Sequence, residues 1–395
     1  MKGNKRKSLG KKCLIVVLCV IISFISTLDI VRYDVQALSY KTGHRTSYSQ
    51  NMDSASKRFL EYSCTKTYAS GKTVVKPFSY FLQTQSSYTN IPGLLSTNVC
   101  GSDCEDMVPQ GICDMGEYVL ISAYCYAKEH PPVLYVMKDK ALVATIVLPY
   151  SREMHAGGVT FDGKYVWIAN GQTDYGKSKR YDNSNRVYYL LKEQIIAAIN
   201  ESIANNAYSV QLQPSYGKQY VSLQYDPAFC TYFEGYLWCG KFSSTGTDMM
   251  YIYKINYGAT SNSGLLTNVG DMQVPRATQG LAFYRYSGNV YLMISSSYMR
   301  NPDDKESKYG AHSIITYKPT DYDYWIGKST DAKDFHKGNR INDITIPYMS
   351  ENLDMRNSSV FVIFESAARE YKSDIDLKNK CDKFCELSFY KICVE

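Results

Sequence analysis

The sequence of 395 residues lacks the short motifs that mark the commonest enzyme classes. It contains no G-x-S-x-G or H-E-x-x-H pattern, which argues against the usual serine-nucleophile and zinc-protease chemistries. It has no C-x-x-C pair either, and the C-x-x-x-C spacing at Cys381 and Cys385 is a weak metal motif, so no zinc ribbon is expected. Function must therefore come from how the fold gathers distant residues.

Basic charge is scarce once the N-terminal segment is set aside. Residues 1–37 hold seven Lys/Arg and two Asp/Glu, a net charge of +5 that leaves about +1 of the formal +6 for the rest of the chain. This balance gives no basic footprint for a nucleic-acid partner.

The same segment has the pattern of a secretory signal peptide. Six lysines and arginines precede an apolar run from Cys13 to about Leu28, and Val35-Gln36-Ala37 offers a small-residue cleavage site. The run is short for a membrane span of about 20 residues. We therefore expect cleavage after residue 37, a secreted, extracellular protein, and no membrane span after leader removal.

Ten cysteines remain beyond the leader, an even number that suits disulfides in an exported protein. If Glu234-Gly235 is a two-residue hairpin turn, Cys230 faces Cys239 at a non-hydrogen-bonded site, where side chains approach most closely. We therefore predict a structural Cys230–Cys239 disulfide.

Five stretches of the chain repeat one pattern, a strand, a tight turn and a second, apolar strand. They start at Gln110, His155, Asp226, Gln279 and Glu351. Repeats of roughly 40 to 50 residues with several strands each are typical of a β-propeller. The sequence predicts an all-β propeller of five four-stranded blades, with six blades as the alternative.

The remaining strands follow from the same repeats. Third strands are predicted at 133–139, 187–193, 250–256, 313–319 and 387–393, and fourth strands end at Pro149, Pro214, Pro275 and Pro347. A helical stripe of apolar residues predicts one inserted helix near 192–206, between the third and fourth strands of blade two.

The fifth repeat lacks a fourth strand, and the N-terminal region is expected to supply it. The segment from Gly93 resembles the one that leads into the fourth strand of blade three, so it is predicted to pair beside 387–393 and close the ring. Closure would bring Cys100 or Cys104 near Cys381, Cys385 or Cys393, which makes a disulfide across the seam a hypothesis. The domains are then a signal peptide at 1–37, an N-terminal arm of uncertain order at 38–92 and the propeller at 93–395.

Propeller topology places the start of each first strand and the end of each second strand on one face. The candidate ligand-binding residues at this mouth are Gln110, His155, Asn170, Asp226, Lys241, Gln279 and Glu365. Two interpretations of these residues are open: they form a polar pocket or cation site, or they form the wall of a hydrated channel with a Lys241–Glu365 ion pair. Trp167 and Trp238 occupy core positions, and Trp325 is the better candidate for stacking on a ligand.

Two chemical roles can be assigned within this mouth. The ordinary pKa of histidine lies near neutrality, so His155 is a candidate general base. Glu365 is the second candidate catalytic residue. Asn170 and Glu365 offer oxygen ligands, so calcium is the candidate cofactor, although no run has the spacing of a dedicated calcium loop.

The segment Thr278-Gln279-Gly280-Leu281, followed by Tyr298 and Arg300, resembles the TQGL-type motif of the five-bladed glutamine cyclotransferases. The likeness covers about two dozen residues and brings no matching catalytic acid. The repeats also resemble secreted propellers of Gram-positive bacteria and, more loosely, calcium-dependent lactonase-type propellers. These resemblances imply the fold; for activity they are analogy at the level of the fold.

Two functions remain open from the sequence. The first is a monomeric, non-enzymatic extracellular protein that binds a small molecule, glycan or peptide at the mouth. The second is an enzyme using the same mouth, either a cation-dependent hydrolase or lactonase, or an acyl-transfer enzyme similar to the cyclotransferases. Convergent polar groups with a perturbed carboxylate would favour the enzyme.

Overall fold

Five antiparallel sheets of four main strands each follow one another along the chain, in a computed structural model. The structure describes residues 58–171, 184–243, 247–297, 312–318, 322, 326, 340–371 and 380–395, all within one compact unit. The predicted signal peptide at 1–37 lies outside the described residues, as does Trp325. No helix in these ranges is long and apolar enough to cross a membrane.

The strands, numbered in chain order, form blades one to three as follows. Blade one contains β6 (Met107–Asp114), β7 (Val119–Cys125), β8 (Val133–Lys138) and β9 (Ala141–Val147). Blade two contains β10 (Gly158–Phe161), β11 (Tyr165–Ala169), β12 (Arg186–Leu191) and β14 (Tyr220–Ser222). Blade three contains β15 (Phe229–Phe233), β16 (Tyr236–Gly240), β17 (Asp248–Ile255) and β18 (Leu266–Val274).

Blades four and five take strands from both ends of the chain. Blade four contains β19 (Thr278–Tyr286), β20 (Asn289–Ser296), β21 (Ser313–Tyr317) and β22 (Arg340–Thr345), extended outward by β1 (Ser63–Tyr68) and β2 (Thr73–Pro77). Blade five contains β23 (Ser350–Arg356), β24 (Ser359–Phe364), β25 (Lys383–Ser388) and, from the N-terminal region, β3 (Tyr88–Asn90). The five-bladed, all-β prediction is confirmed.

Short elements join these blades. A hairpin of β4 (Thr97–Val99) and β5 (Ser102–Cys104) precedes blade one, and the helices are α1 (Phe78–Phe81) and α2 (Lys192–Asn205). Single turns of 3-10 helix lie at Arg58–Glu61, Pro214–Lys218, Asn262–Gly264 and Arg369–Tyr371, and a π turn lies at Tyr390–Val394. Helix α2 confirms the predicted insertion.

Three strand assignments are corrected by the structure. The segment before Pro214 is not the fourth strand of blade two, because its strand β13 (Val210–Gln211) pairs in parallel with β9 of blade one. Helix α2 packs against β9 and carries the chain there before β14 completes blade two.

The third strand of blade five ends earlier than predicted. It covers Lys383–Ser388, because its partner β24 begins at Ser359, and the chain then enters the π turn. The closing strand is β3 at Tyr88–Asn90, upstream of the predicted segment from Gly93; closure by an N-terminal strand is itself confirmed.

The hairpin of blade three has the predicted turn and register without the predicted bond. Glu234 and Gly235 have φ values of 48° and 89°, as a type I′ turn requires, and Cys230 lies opposite Cys239. Both are free thiols, and the Cys230 thiol donates instead to the Gly158 carbonyl at 3.6 Å. All ten cysteines of the described residues are free, so neither this disulfide nor one across the seam is formed in this structure.

The hydrophobic core consists of five apolar layers, one between each pair of neighbouring blades. Each layer draws side chains from the facing sheets of two blades, for example Phe361 and Ile363 of blade five with Ile121 and Tyr135 of blade one. Because both faces of a sheet are covered, strands such as β7 are buried at every residue. Trp167 and Trp238 are fully buried in these layers, as predicted.

Asn352 crosses the centre of the ring. It belongs to β23, yet its side-chain amide donates to the carbonyls of Ile112 at 3.2 Å and Val159 at 3.0 Å, which belong to the innermost strands of blades one and two. The side chain is fully buried. The innermost strands of three blades are thereby tied together across the axis.

We expect Asn352→Ala to lower the free energy of unfolding by about 1–3 kcal/mol, because two buried carbonyls lose their donor. Urea denaturation at neutral pH measures this. Asn200→Ala, on the exposed face of α2, is the matched control and should lose nothing. Equal stability of the two variants would contradict the role of Asn352.

Candidate functional site

Glu365 is the centre of a polar cluster at the seam between blade five and blade one. It follows β24 directly and is only 8% exposed. Its Oε2 accepts hydrogen bonds from Gln110 Nε2 at 2.8 Å and from the Tyr371 hydroxyl at 3.3 Å. Gln110 and Glu365, 255 residues apart in sequence, are therefore brought together at this seam.

A second carboxyl group, Glu351, lies against Glu365. Glu351 is 2% exposed, and the two carboxyl groups are in hydrogen-bond contact. Burial, then the charge of Glu365 and the hydrogen bond between them, raise the pKa of Glu351 well above its ordinary value. Two carboxylates in such contact cannot both be ionised, so the pair holds a proton at neutral pH.

β-bulges direct these side chains to the mouth. The register of the innermost hairpin shifts at Gln110 in blade one, at Gln279 in blade four and between Ser350 and Leu353 in blade five. A bulge adds a residue without a ladder partner and re-aims its side chain. The three bulges thus occupy the same position, near the start of the innermost strand of each blade.

The residue after two of these bulges is a glycine because the neighbouring blade leaves no room for a side chain. A Cβ on Gly111 would lie 2.6 Å from the backbone nitrogen of Val159, and one on Gly280 would lie 2.5 Å from the Cα of Asn352. The Gln-Gly pairs of the sequence therefore combine a polar side chain at the mouth with close packing of innermost strands.

A hydroxyl–imidazole pair is linked to the carboxyl cluster through Met349, whose carbonyl accepts the backbone N–H of Glu365 at 3.0 Å. Ser297 Oγ is 2.6 Å from His312 Nδ1, which also accepts the backbone N–H of Met349 at 3.3 Å. Nδ1 is therefore the acceptor, and the ring proton is on Nε2. Burial lowers the pKa of His312 to about 4, so the imidazole is neutral at physiological pH.

His155 and Asn170 meet within blade two. The backbone N–H of His155 donates to the Asn170 carbonyl at 3.0 Å, and the imidazole stacks on Tyr124 of blade one at 4.0 Å. The ammonium of Lys128 lies over the same tyrosine, 4.6 Å from the ring centre. Burial, with a smaller contribution from Lys128, lowers the pKa of His155 to about 3, so it is a neutral and weak base.

The other candidates have partners of their own. Lys241 Nζ pairs with Asp248 at 3.5 Å, and the ion pair expected between Lys241 and Glu365 is not formed, since Glu365 is bonded within the cluster at the seam. Asp226 accepts a hydrogen bond from Ser184 at 2.9 Å. Gln279 is half-buried at its bulge.

The structure adds little support for a calcium site. In the described ranges, a single group of three or more His, Cys, Asp or Glu side chains has converging ligand atoms, namely Cys104, Cys125 and His130. It does not include Glu365 and supplies no oxygen ligand, whereas calcium takes oxygen. A calcium site formed by Asn170 and Glu365 stays a prediction.

A groove lies elsewhere on the molecule. A groove of about 560 Å³ separates the outer strands of blades two and three, lined by Tyr220, Tyr253 and Leu266 among others. It contains no carboxylate or histidine. We therefore retain the seam as the candidate site.

Sequence reasoning missed Glu351, Tyr371, Ser297 and His312. Glu351 could have been found by aligning Glu351-Asn352 with Gln110-Gly111 and Gln279-Gly280, since these pairs share the bulge position. The others come from segments between blades' second and third strands, where no repeat pattern indicates which side chain turns inward.

Comparison with known proteins supports no assignment by family. No protein-family model matches the chain, and no curated protein matches it. Solved structures of similar fold include the Myxococcus xanthus glutaminyl cyclase, with 10% identity over 76% of this chain and 95% of that chain and a TM-score of 0.37. A calcium structure of the Trichoderma reesei carbohydrate-active enzyme of family AA12 has 11% identity over 72% of this chain and 79% of that chain, with a TM-score of 0.37.

A GH32 β-fructofuranosidase of Bombyx mori is a further similar structure, with 10% identity over 76% of this chain and 61% of that chain and a TM-score of 0.37. The five four-stranded blades of this chain define its class as a β-propeller. At these identities and TM-scores, the likenesses carry no argument about activity.

We expect Glu351→Gln to stabilise the protein relative to wild type increasingly as pH rises above about 4.5. Between the unfolded and the raised folded pKa, native wild type keeps a proton that the unfolded chain has lost, so its stability falls with rising pH, by up to ~1.4 kcal/mol per pH unit. Glutamine does not titrate and removes this fall. Denaturation midpoints at acidic, neutral and mildly alkaline pH measure it.

The exposed Glu117→Gln, which loses a carboxylate on the surface, is the matched control for charge. A difference between Glu351→Gln and wild type that is the same at every pH, or shrinks as pH rises, would contradict the assignment.

Proposed function

We propose that the protein is an exported enzyme that binds a small polar substrate, such as a glycan fragment or peptide, at the propeller mouth and performs general acid–base catalysis on it. The observation that carries the proposal is the buried contact between Glu351 and Glu365, with a proton retained by the pair. A carboxyl group kept protonated beside an ionised one is the arrangement that acid–base enzymes use to donate and accept protons at one site. The leader at 1–37 supports export.

The contact between the two carboxyl groups favours one class of hydrolysis over another. Glycosidases keep their two carboxyl groups at least ~5 Å apart, to flank the sugar or admit a water. Glu351 and Glu365 are in hydrogen-bond contact, which suits a water held and activated between them, as in aspartic proteases. Hydrolysis of an acyl bond, in an amide, ester or lactone, therefore fits the pair better than cleavage of a glycosidic bond.

The surrounding residues fit supporting roles. Gln110 and Tyr371 donate to Oε2 of Glu365 and hold that carboxyl group in one orientation. Their hydrogen bonds favour its ionised form, which leaves the proton to Glu351. Glu365 would then serve as the base and Glu351 as the acid.

We expect Glu365→Gln and Glu351→Gln each to lower kcat/KM by about 10²–10⁴-fold on any amide, ester or lactone that the wild type hydrolyses. The wild-type pH profile should be bell-shaped, because activity requires one proton on the pair. A substrate panel assayed with and without chelator measures both, and Glu117→Gln should retain wild-type rates.

Hydrolysis unchanged in both variants would remove the pair from the mechanism. If the wild type hydrolyses nothing in the panel and ligand binding weakens only in Glu365→Gln, the mouth is a binding site without catalysis.

A further inference from the structure

Two cysteines and a histidine converge on the same face of the ring, outside the carboxyl cluster. Cys104 ends β5, Cys125 ends β7, and His130 lies in the loop that follows β7. Cys104 Sγ is 3.6 Å from Cys125 Sγ, and Cys125 Sγ is 3.8 Å from His130 Nδ1. All three ligand atoms lie within 4.8 Å of one another.

Two of these separations, between the two sulfurs and between Cys125 Sγ and His130 Nδ1, match the edges of a coordination tetrahedron. With Zn–S of about 2.3 Å and Zn–N of about 2.0–2.1 Å, tetrahedral angles put two sulfur ligands about 3.8 Å apart and a sulfur and a nitrogen about 3.6 Å apart. The observed edges differ from these values by about 0.2 Å. We propose that Cys104, Cys125 and His130 bind one zinc ion.

The histidine is held in the tautomer that a metal requires. Ser102 Oγ lies 2.9 Å from His130 Nε2. When the serine oxygen accepts the Nε2 proton, Nδ1 keeps a free lone pair on the side of Cys125. Metal-bound histidines almost always donate their second ring nitrogen in this way. A disulfide between the two cysteines would need no such imidazole.

Backbone hydrogen bonds join the two loops that carry the ligands. The N–H of Tyr126 donates to the Asp106 carbonyl, which links the two segments, and the N–H of Lys128 donates to the Cys125 carbonyl within the segment that follows β7. Both cysteines are buried in the apolar layer between blades one and five, and His130 is half-buried. The three ligands are therefore positioned before the metal binds.

The donor set selects the metal. Two thiolates and an imidazole suit zinc, whereas calcium and magnesium take oxygen ligands. Binding displaces the two thiol protons, so a dication with two thiolates and a neutral imidazole forms a site of no net charge. Three protein ligands leave a place for water or a substrate atom.

The test is titration of reduced, chelator-treated protein with Co²⁺ and then Zn²⁺. We expect one equivalent of Co²⁺ to give a thiolate-to-metal charge-transfer band and tetrahedral d–d bands, which Zn²⁺ abolishes by displacement. Cys125→Ser and His130→Ala should lose the tetrahedral spectrum, and Ser102→Ala should weaken zinc binding by about 10–100-fold. Cys100→Ser, in the same hairpin and exposed, is the matched control and should bind as wild type.

Because Cys104 and Cys125 are buried, their variants could misfold; the half-buried His130→Ala, checked for a native circular dichroism spectrum, keeps the test decisive. No charge-transfer band in reduced wild type would overturn the site. A spectrum retained in His130→Ala, or lost equally in Cys100→Ser, would also overturn it. Loss confined to the ligand variants Cys125→Ser and His130→Ala establishes it, whatever the outcome at Glu351 and Glu365.

Discussion

Every sheet of this protein has to be covered on both faces, and only a closed ring provides that cover. The five apolar layers between neighbouring blades bury strands that are apolar on both sides, and a missing neighbour would expose one such face entirely. The contacts of the innermost strands run from blade one through blade five and back to blade one. The two ends of the chain must therefore meet, which they do where β3 pairs with β25 and where Lys66 Nζ donates to the Lys391 carbonyl.

Closure of the ring also explains where the two candidate sites lie. The first and last blades meet at one seam, and side chains from both ends of the sequence converge there: Gln110 comes from blade one, while Glu351, Glu365 and Tyr371 come from blade five. The thiol–imidazole cluster lies against the same layer, since Cys104 and Cys125 pack within it. Both carboxyl groups belong to blade five, and closure adds the hydrogen bond from Gln110 of blade one to Glu365. The three metal ligands lie within about 25 residues of one another and depend on the local loops of blade one.

The parts of this architecture that the sequence predicts are those that repeat. Blade number, most strands, helix α2 and the turn at Glu234-Gly235 follow from periodicity and turn chemistry, which act locally. Propeller topology places Gln110 and Glu365 on one face, but it does not indicate that they pair with each other. The predicted ion pair between Lys241 and Glu365 was wrong, because equivalent positions in different blades do not reveal which acid lies nearest to a lysine. The partner of Lys241 is Asp248. Strand β13 was misassigned because α2 moves the chain to another blade, which no local pattern encodes.

The bulge position offers an argument that the carboxyl pair has a role beyond folding. Blades one and four place glutamine at this position, so a neutral amide satisfies the geometry of the ring at Gln110 and Gln279. Blade five places Glu351 there, against a second acid, in a buried environment that raises its pKa and lowers the stability of the folded protein at neutral pH. A requirement of the fold alone would be met by a third glutamine at no such cost. The acid at this one blade, facing Glu365, is therefore better explained by proton chemistry at the mouth than by packing.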